Sequence, residues 1–491
     1  MTLRKILLAS TALGAIAMLA SPAFAGSGAA SQAEIDALKA QVEALTQRLD
    51  DIAIQSGNDI KEIKEKQDAV QIDFKDGKPT FRTGDGLFTM SIRGRAHLDS
   101  AFYDLDAQDT TRMLTANNPL GGGSNTGLSS GSNFRRAEFG VEGTFLRDWG
   151  YKLNMQWGNS GDEGPARIKD LYLTYSGLKP VTFWAGAIQT PMTLDDSTSS
   201  NDITFMERSA AANLATGLGA GDGRTSFGVT AATSHLYGSL FYTTNTVNQG
   251  FAASTNTSNE GSAYVGRVAY AFQPDEHSNI HIGASGTYKA DPNGGVTFSD
   301  RPELRVDPST LINTGSLTGS TAAVGAESAY AVGPELAGNY GPFRAQGEYY
   351  VYNVERNGTA PSVDFSAWYL QASWVITGEE YKYAMDPAAY KGVKPASPFT
   401  LGGGIGAWEI AARYSVADLN DNEGSIGSAV PAGGVRGGKQ DIATIGLNWY
   451  PNNNVRFMLE YLDVSTEKIG FGNADVGVDY NVVASRMQFA F

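Results

Sequence analysis

Hydrophobic and polar residues alternate through most of the chain from residue 88 onward. In the segment 343–351, Phe343 and Tyr349 share one face of an extended chain, while Arg344 and Glu348 share the other. This period-two pattern predicts strands with one apolar and one polar face. About 16 segments follow it, which is an even number of the kind closed barrels use. They span residues 88–102, 134–145, 151–157, 167–176, 181–188, 225–232, 235–243, 264–272, 280–289, 321–332, 343–351, 364–376, 405–414, 440–450, 455–464 and 481–491.

The last segment has the same two faces and ends in an aromatic residue. Val483, Met487 and Phe489 lie on one side, and Arg486 and Gln488 lie on the other. A membrane-spanning sheet must pair every backbone group and therefore closes on itself. The pattern predicts an all-β fold, a transmembrane antiparallel β-barrel of about 16 strands over residues 73–491, with lipid outside and water inside. Aromatic residues at strand ends predict interfacial girdles, and they are Trp149, Trp157, Trp184, Trp374, Trp449 and Tyr450.

Short turns alternate with long polar connections. The turns at 146–148 and 450–454 are brief, whereas long connections rich in Gly, Ser, Thr and Asn span 104–132, 244–262, 290–320 and 415–438. In outer-membrane barrels the short turns face the periplasm and the long loops face outward. The segment 189–224 differs in composition, and we expect it to fold into the lumen.

The first 25 residues predict a secretory signal peptide. Arg4 and Lys5 precede an apolar run, and Ala23-Phe24-Ala25 supplies a small-x-small cleavage site. The run is shorter than the ~20 residues of a spanning helix, which disfavours a membrane anchor.

Residues 26–72 have a different period. Heptad spacing predicts a short periplasmic coiled coil that fails at Ser56-Gly57. We expect it to associate copies of the chain, most simply as a trimer, and the alternative is a spacer or a tether to the cell wall. The heptad positions are Ile35, Leu38, Val42, Leu45, Leu49 and Ile52.

Composition excludes several functions. The chain has no cysteine, so it offers neither disulfide nor thiolate chemistry. Its formal charge of −15 becomes −17 when Arg4 and Lys5 leave with the signal peptide, which argues against nucleic-acid binding. His97 and His281 have inward parity but lack a neighbouring nucleophile or metal-ligand spacing. We therefore expect no enzyme activity, no cofactor and no metal.

Strand parity predicts a lumen lined with arginine. A guanidinium stays charged and matches phosphate or carboxylate in a two-point fork, so a row of them would guide anions. The alternative is that they pair with carboxylates on the same faces, such as Asp99, Glu138 and Glu409. The candidate anion-guiding residues are Arg93, Arg95, Arg136, Arg267, Arg344, Arg413, Arg456 and Arg486.

Several motifs across residues 88–491 resemble the phosphate-selective porin O/P family of Gram-negative outer membranes. They include Ser91-Ile92-Arg93-Gly94-Arg95, Phe134-Arg135-Arg136-Ala137, Thr198–Arg208, Gly406-Ala407-Trp408-Glu409 and Gly446–Pro451. The resemblance implies a 16-stranded porin, a homotrimer in outer-membrane lipid, through which small anions including phosphate diffuse. It also implies that the third external loop constricts the pore.

The constriction loop, residues 189–224, leaves the ion preference open. It is acidic and holds no lysine, whereas phosphate-selective members of the family place lysine near the narrowest point. A general or cation-tolerant porin on the same scaffold is therefore the alternative. The residues predicted to shape the constriction are Asp195, Asp196, Asp202, Glu207 and Arg208.

Overall fold

The computed structural model divides the chain into two compact units, Met1–Ala69 and Val70–Phe491. The predicted signal peptide and most of the predicted loops 104–132 and 244–262 lie outside the described residues. The structure describes residues 32–68, 70–75, 77–106, 108–110, 128–159, 166–247, 261–292, 294–319 and 325–491.

The described part of the first unit is the helix α1 (Gln32–Asp68). The helix α1 runs through Ser56 and Gly57, where the heptad pattern is predicted to break. A glycine inside a helix costs only about 1 kcal/mol, and the good helix formers that follow offset it. The heptad side chains Leu38, Leu45 and Leu49 are exposed on this single chain. None of the helices in the described part of the chain is long and apolar enough to cross a membrane.

The second unit is a closed antiparallel barrel of 16 strands. A hairpin of β1 (Gln71–Lys75) and β2 (Lys78–Arg82) precedes it, so the predicted boundary at 72/73 falls inside β1. The barrel strands are β3 (Phe88–Leu105), β4 (Gly131–Phe145), β5 (Trp149–Asn159), β6 (Arg167–Leu178), β7 (Val181–Ile188), β8 (Arg224–Ala232), β9 (Leu236–Thr246), β10 (Ser262–Phe272), β11 (Ser278–Asp291), β14 (Ala326–Tyr340), β15 (Phe343–Arg356), β16 (Val363–Val375), β19 (Ala407–Asp421), β20 (Val435–Tyr450), β21 (Val455–Glu467) and β22 (Asp479–Ala490).

The barrel closes between its last strand and its first. β22 pairs with β3 from Tyr480 opposite Leu105 to Ala490 opposite Arg95. The terminal Phe491 exchanges two backbone hydrogen bonds with Gly94, at 3.0 and 3.1 Å. A Cβ atom on Gly94 would lie 2.4 Å from the Phe491 ring, so the missing side chain leaves room for that ring. The closed seam leaves no unpaired edge in this part of the wall.

The predicted alternation of faces is confirmed. On β15, Phe343 and Tyr349 are exposed on the outer wall, while Arg344 and Tyr350 are buried inside. Stacked aromatic pairs cluster where the short turns lie. They are Phe145 with Trp149, Phe343 with Trp374, and Trp408 with Trp449, with ring centroids 5.5 to 6.0 Å apart.

Two of the predicted girdle residues are not on the outer wall. Trp184 and Tyr450 face the interior, where the Tyr450 hydroxyl donates to Glu409 Oε2 at 2.6 Å. Their strand parity is inward, and position at a strand end alone does not decide which side an aromatic residue faces. The predicted girdle is therefore corrected at these two positions.

The two ends of the barrel differ in their connections. The turns at 146–148, 179–180, 341–342 and 451–454 lie at one end, the short-turn end. One connection at this end is long, residues 376–406, and it carries the small hairpin β17 (Lys382–Ala384) and β18 (Ala389–Lys391). We call it the second inward loop, because Tyr390 and Ala388 within it are fully buried.

The opposite, long-loop end carries the constriction loop and the connection 292–325. The constriction loop contains the short helix α2 (Leu194–Ser197) and the helix α3 (Ala210–Gly219), and β8 begins at its last residue, Arg224. The connection 292–325 includes the short strands β12 (Ser299–Asp300) and β13 (Ile312–Asn313). A 3₁₀ turn, Phe471–Asn473, lies between β21 and β22.

Part of the barrel interior is an apolar core, which the predicted polar inner face did not include. Leu214 and Leu218 of α3 belong to one buried cluster with Phe241, Tyr350 and Phe365 of the wall. Burial of such side chains stabilises each by about 1.5–3 kcal/mol. The helix α3 therefore packs against one side of the wall, and the open space lies against β3 to β9.

The predicted strands match the observed ones in number and order. The largest difference is in the segment predicted at 321–332, where β14 begins at Ala326 and continues to Tyr340. The loop predicted at 415–438 is shorter, because β19 extends to Asp421 and β20 begins at Val435. Polar residues near the strand ends hid these extensions.

Candidate functional site

Arginines on the wall hold the tip of the constriction loop inside the barrel. Arg456 donates to the backbone carbonyls of Ile203 and Thr204, at 2.6 and 2.8 Å. Arg413 Nη1 donates to the Glu207 carbonyl at 2.9 Å. Two further arginines reach the same segment: Arg344 contacts the Thr204 hydroxyl and Arg486 contacts the Met206 carbonyl.

Glu207 lies at the centre of a buried ion-pair network. Arg135 holds its carboxylate through two bonds of 2.6 and 2.8 Å, and Arg486 adds a third at 2.8 Å. Arg486 also binds Asp99 through two bonds of 2.6 and 2.7 Å. Burial raises the pKa of Glu207, but the guanidinium groups of Arg135 and Arg486 outweigh it and hold this pKa well below its usual range.

Arg135 reaches this network because of a β-bulge. Simple alternation puts its side chain on the outer face, beside inward Arg136. The register of β3 and β4 shifts where His97 pairs with Arg136 and Leu98 pairs with Phe134, which leaves Arg135 as the extra residue. A bulge re-aims the side chain, so both arginines point inward and are buried.

Carboxylates on the wall and on the connection 292–325 satisfy backbone N–H groups of the constriction loop. Glu460 accepts from the Met206 N–H at 2.6 Å, and Glu303 accepts from the Ala210 N–H at the start of α3 at 3.0 Å. Glu348 accepts from the Leu194 N–H at 2.6 Å. These carboxylates are engaged with the loop backbone.

The predicted constriction residues mainly stabilise the loop itself. Arg208 donates to the carbonyls of Asp195, Asp196 and Thr198 at 2.9 to 3.2 Å. The Asp195 carboxylate accepts from the Ser209 N–H at 3.0 Å. Of the five predicted residues, Asp196 and Arg208 line one open cavity of the lumen, and Asp202 lines a second.

The second inward loop is held in the same manner from the short-turn end. Arg267 donates to the carbonyls of Pro387 and Ala388, at 2.5 and 2.8 Å, and pairs with Glu335 at 2.8 Å. The Arg344 guanidinium lies 4.7 Å from the centre of the Tyr381 ring, a cation–π contact. This loop was not predicted, because its composition resembles that of an ordinary surface connection.

The open space between the two loops and the wall is a cavity of about 350 Å³. We call it the eyelet cavity. Its lining has more bases than acids. The bases are Arg93, Arg95, Arg136, Lys152, Lys169, Arg208 and Lys391, and the acids are Glu138, Asp170, Asp196 and Asp386.

The acids of the eyelet cavity are paired with several bases. Glu138 lies 2.9 Å from Lys169 and 3.6 Å from both Arg95 and Arg136. Lys152 pairs with Asp170 at 2.9 Å. One carboxylate therefore faces three cations, and the local charge is positive.

A second cavity of about 560 Å³ lies beside the first and shares Lys391 with it. It reaches the short-turn end, where the turn 451–454 and Phe491 line it. Its bases are Lys78, Lys391, Lys394 and Arg456, against Asp202. The two cavities give a basic path along this part of the lumen.

The eight predicted arginines thus divide into two groups. Arg93, Arg95 and Arg136 line the eyelet cavity. The other five hold the two inward loops, although Arg456 also lines the second cavity. They are Arg267, Arg344, Arg413, Arg456 and Arg486.

Sequence reasoning missed the lysines of the eyelet cavity. Lys152 lies opposite the apolar face of β5, so its parity already indicated an inward side chain. Lys391 had no such signal, because it reaches the cavity only through the fold of the second inward loop. No group of three or more His, Cys, Asp or Glu suited to a metal ion occurs among the described residues.

Comparison with known proteins identifies similar sequences. The family described as phosphate-selective porin O and P matches residues 119–491. Porin O of Pseudomonas aeruginosa is 26% identical over 425 residues, covering 83% of this chain and 90% of that protein. An uncharacterized protein of Caulobacter vibrioides is 27% identical over 497 residues, covering 94% of this chain and 90% of that protein.

Among solved structures, a loop-deletion mutant of OmpT, an outer-membrane protein of Vibrio cholerae, is similar at a TM-score of 0.47. Its sequence identity is 10%, and the match covers 82% of this chain and all of that one.

Replacing Arg486 by Met should strongly destabilise the barrel. The change leaves Asp99 and Glu207 buried with fewer cations, and breaking a buried ion pair costs about 3–5 kcal/mol. Urea titration of the protein in lipid vesicles, followed by tryptophan fluorescence, measures the free energy of unfolding.

Arg93→Met is the matched control. Arg93 pairs with Glu142, its side chain is 25% exposed, and Lys78 also contacts that carboxylate. Removing the Arg93 guanidinium should lower the free energy of unfolding by about 0–1 kcal/mol. Equal losses in the two variants would contradict the role of Arg486 in the buried network.

Proposed function

Because this chain belongs to the phosphate-selective porin O and P family, we propose that it lets small anions, phosphate among them, diffuse through the eyelet cavity. It is a porin of the Gram-negative outer membrane, a channel and not an enzyme. In such a channel, charge and width select the solute without any covalent step.

The basic excess in the eyelet cavity is the observation that carries the anion preference. Arg93, Arg95 and Arg136 lie on the wall, and Lys391 reaches the same space from the second inward loop. A narrow channel with low-dielectric walls concentrates ions of the opposite sign. The lysine that the constriction loop lacks is supplied by β5, β6 and the second inward loop.

Several acidic side chains of the constriction loop are already held by cations or by backbone N–H groups. Glu207 is neutralised by Arg135 and Arg486, and Asp195 accepts from its own loop backbone. Arg208 lies 3.4 Å from Asp196. These contacts favour an anion channel over the cation-tolerant alternative.

Under a KCl gradient across a planar bilayer, the purified protein should give a zero-current potential whose sign corresponds to a preference for chloride over potassium. Replacing Lys391 by Gln removes a cation from both cavities and should lower the chloride-to-potassium permeability ratio on the order of twofold. Lys179→Gln, in the turn between β6 and β7, is the control and should leave the ratio unchanged.

Phosphate added to the same bilayer should reduce the chloride current, because both anions use the same basic site. A potassium preference would replace this proposal with the cation-tolerant porin. A chloride preference without any effect of phosphate would leave a general anion porin.

Anion preference should increase as the pH falls from 7 to 5. Burial raises the pKa of Asp196 to about 6, although Arg208 acts in the opposite direction and Asp222 and Asp195 add to the shift. Below this pKa the carboxyl is neutral, so the eyelet cavity gains net positive charge. The zero-current potential against pH measures the effect.

Asp196→Asn removes the titrating group. The variant should show, at pH 7, the chloride preference that the native protein reaches at pH 5, and its preference should change little with pH. An unchanged pH profile in the variant would assign the titration to another group.

We also propose that α1 assembles a homotrimer. Its 37 residues span about 56 Å at a rise of 1.5 Å per residue. The exposed heptad side chains are unburied apolar area that association would cover. The tether to the cell wall is the alternative use of the same helix.

Deleting residues 26–69 while keeping the signal peptide separates these two roles. We expect the mass of the detergent complex, measured by light scattering, to fall from trimer to monomer. Leu38→Ala with Leu45→Ala should act in the same direction, whereas Lys39→Ala with Thr46→Ala should not. Intact trimers that no longer attach to the cell wall would favour the tether.

A further inference from the structure

The eyelet cavity has an aromatic wall next to its basic wall. Tyr172 on β6, Trp184 on β7 and Tyr237 on β9 all line it. The rings of Tyr172 and Trp184 lie 5.1 Å apart, centre to centre. Both side chains are only partly buried, so their faces reach the open space.

These rings are held in fixed positions. Trp184 Nε1 donates to Thr230 Oγ1 at 3.0 Å, and its ring packs edge-on to Phe241 at 6.4 Å. Gly186 pairs with Tyr172 in the sheet and places no side chain beside it. A Cβ atom on Gly186 would lie 2.3 Å from the Leu171 carbonyl oxygen, so a side chain at this position would clash with the β6 backbone beside Tyr172.

Charge and aromatic surface meet at Tyr172. The Lys152 ammonium lies 5.7 Å from the centre of the Tyr172 ring. Lys152 and Lys169 belong to the neighbouring strands β5 and β6, so the cations and the rings form one continuous arc of the wall. A ligand that contacts the cations with its anionic group can therefore place an attached ring on Tyr172 or Trp184.

Bare phosphate makes no use of an aromatic face. A planar ring, in contrast, stacks on another ring with an energy beyond that of simple burial. The volume of about 350 Å³ lies in the ~300–1,000 Å³ range typical of small-molecule pockets. The cavity is thus suited to an anion larger than phosphate itself.

We propose that the eyelet cavity binds organic anions that carry a planar ring next to a phosphate or carboxylate group. The anionic group contacts the arginines and lysines of the wall, and the ring stacks on Tyr172 and Trp184. This inference rests on the proposed anion-channel function and names a substrate class for the same site.

The test compares phenyl phosphate with methyl phosphate as blockers of the chloride current through the full-length protein in a planar bilayer. The two share a headgroup and differ in the ring. Phenyl phosphate should half-block at a concentration about fivefold lower, as expected for one aromatic contact. In Trp184→Leu and in Tyr172→Leu, the ratio of the two half-blocking concentrations should fall toward one.

Phe183→Leu is the matched control, because Phe183 neighbours Trp184 on β7 but faces the outer wall, where it is 43% exposed. It should keep the fivefold difference, and it also reports any effect of phenyl phosphate on the lipid. Inorganic phosphate should block the chloride current equally in the native protein and in the three variants, because it has no ring to stack.

Two results would overturn the inference alone: equal blocking by the two esters in the native protein, or an undiminished difference in both aromatic variants. The second result would mean that the rings serve only the apolar core. A channel that prefers potassium, or that no phosphate species blocks, would overturn the proposed function and this inference with it.

Discussion

A loop folded into a barrel must find partners for its own backbone, and this constraint explains most of the charged inner wall. Loops normally run over the surface because water satisfies their polar groups. Here Arg456 donates to loop carbonyls, and four residues away Glu460 accepts from a loop N–H. Arginine supplies donors and glutamate supplies acceptors, so the wall replaces water for the constriction loop. Much of the wall's charge therefore serves structure.

This requirement divides the arginines by function. An arginine whose donors are taken by loop carbonyls has little left for a passing solute, whereas Arg93, Arg95 and Arg136 line open space. The lumen is correspondingly asymmetric. One side is filled by α3 and its apolar contacts, and the other side keeps the polar path.

The sequence predicts what depends on strand parity. The number and order of the strands, the outer apolar face of β22 and the inward direction of the predicted arginines all follow from a period of two. The inward position of Lys152 follows too. These features are local, because each strand fixes which side its own residues face.

Features that depend on contacts between distant segments were not predictable in this way. The β-bulge that turns Arg135 inward depends on the register of two strands. The second inward loop is positioned by Arg267, more than a hundred residues before it in the chain. Trp184 has inward parity, but its contact with the cavity depends on the path of the constriction loop.

The seam of the barrel ties closure of the wall to the width of the passage. Arg486 lies on β22 and Asp99 on β3, the two strands that pair to close the barrel, and Glu207 lies on the constriction loop. The Arg486 guanidinium therefore stabilises both the closed seam of the barrel and the position of the constriction loop. Each contact stabilises the other, so a substitution that releases the constriction loop from Arg486 also weakens the closure of the wall.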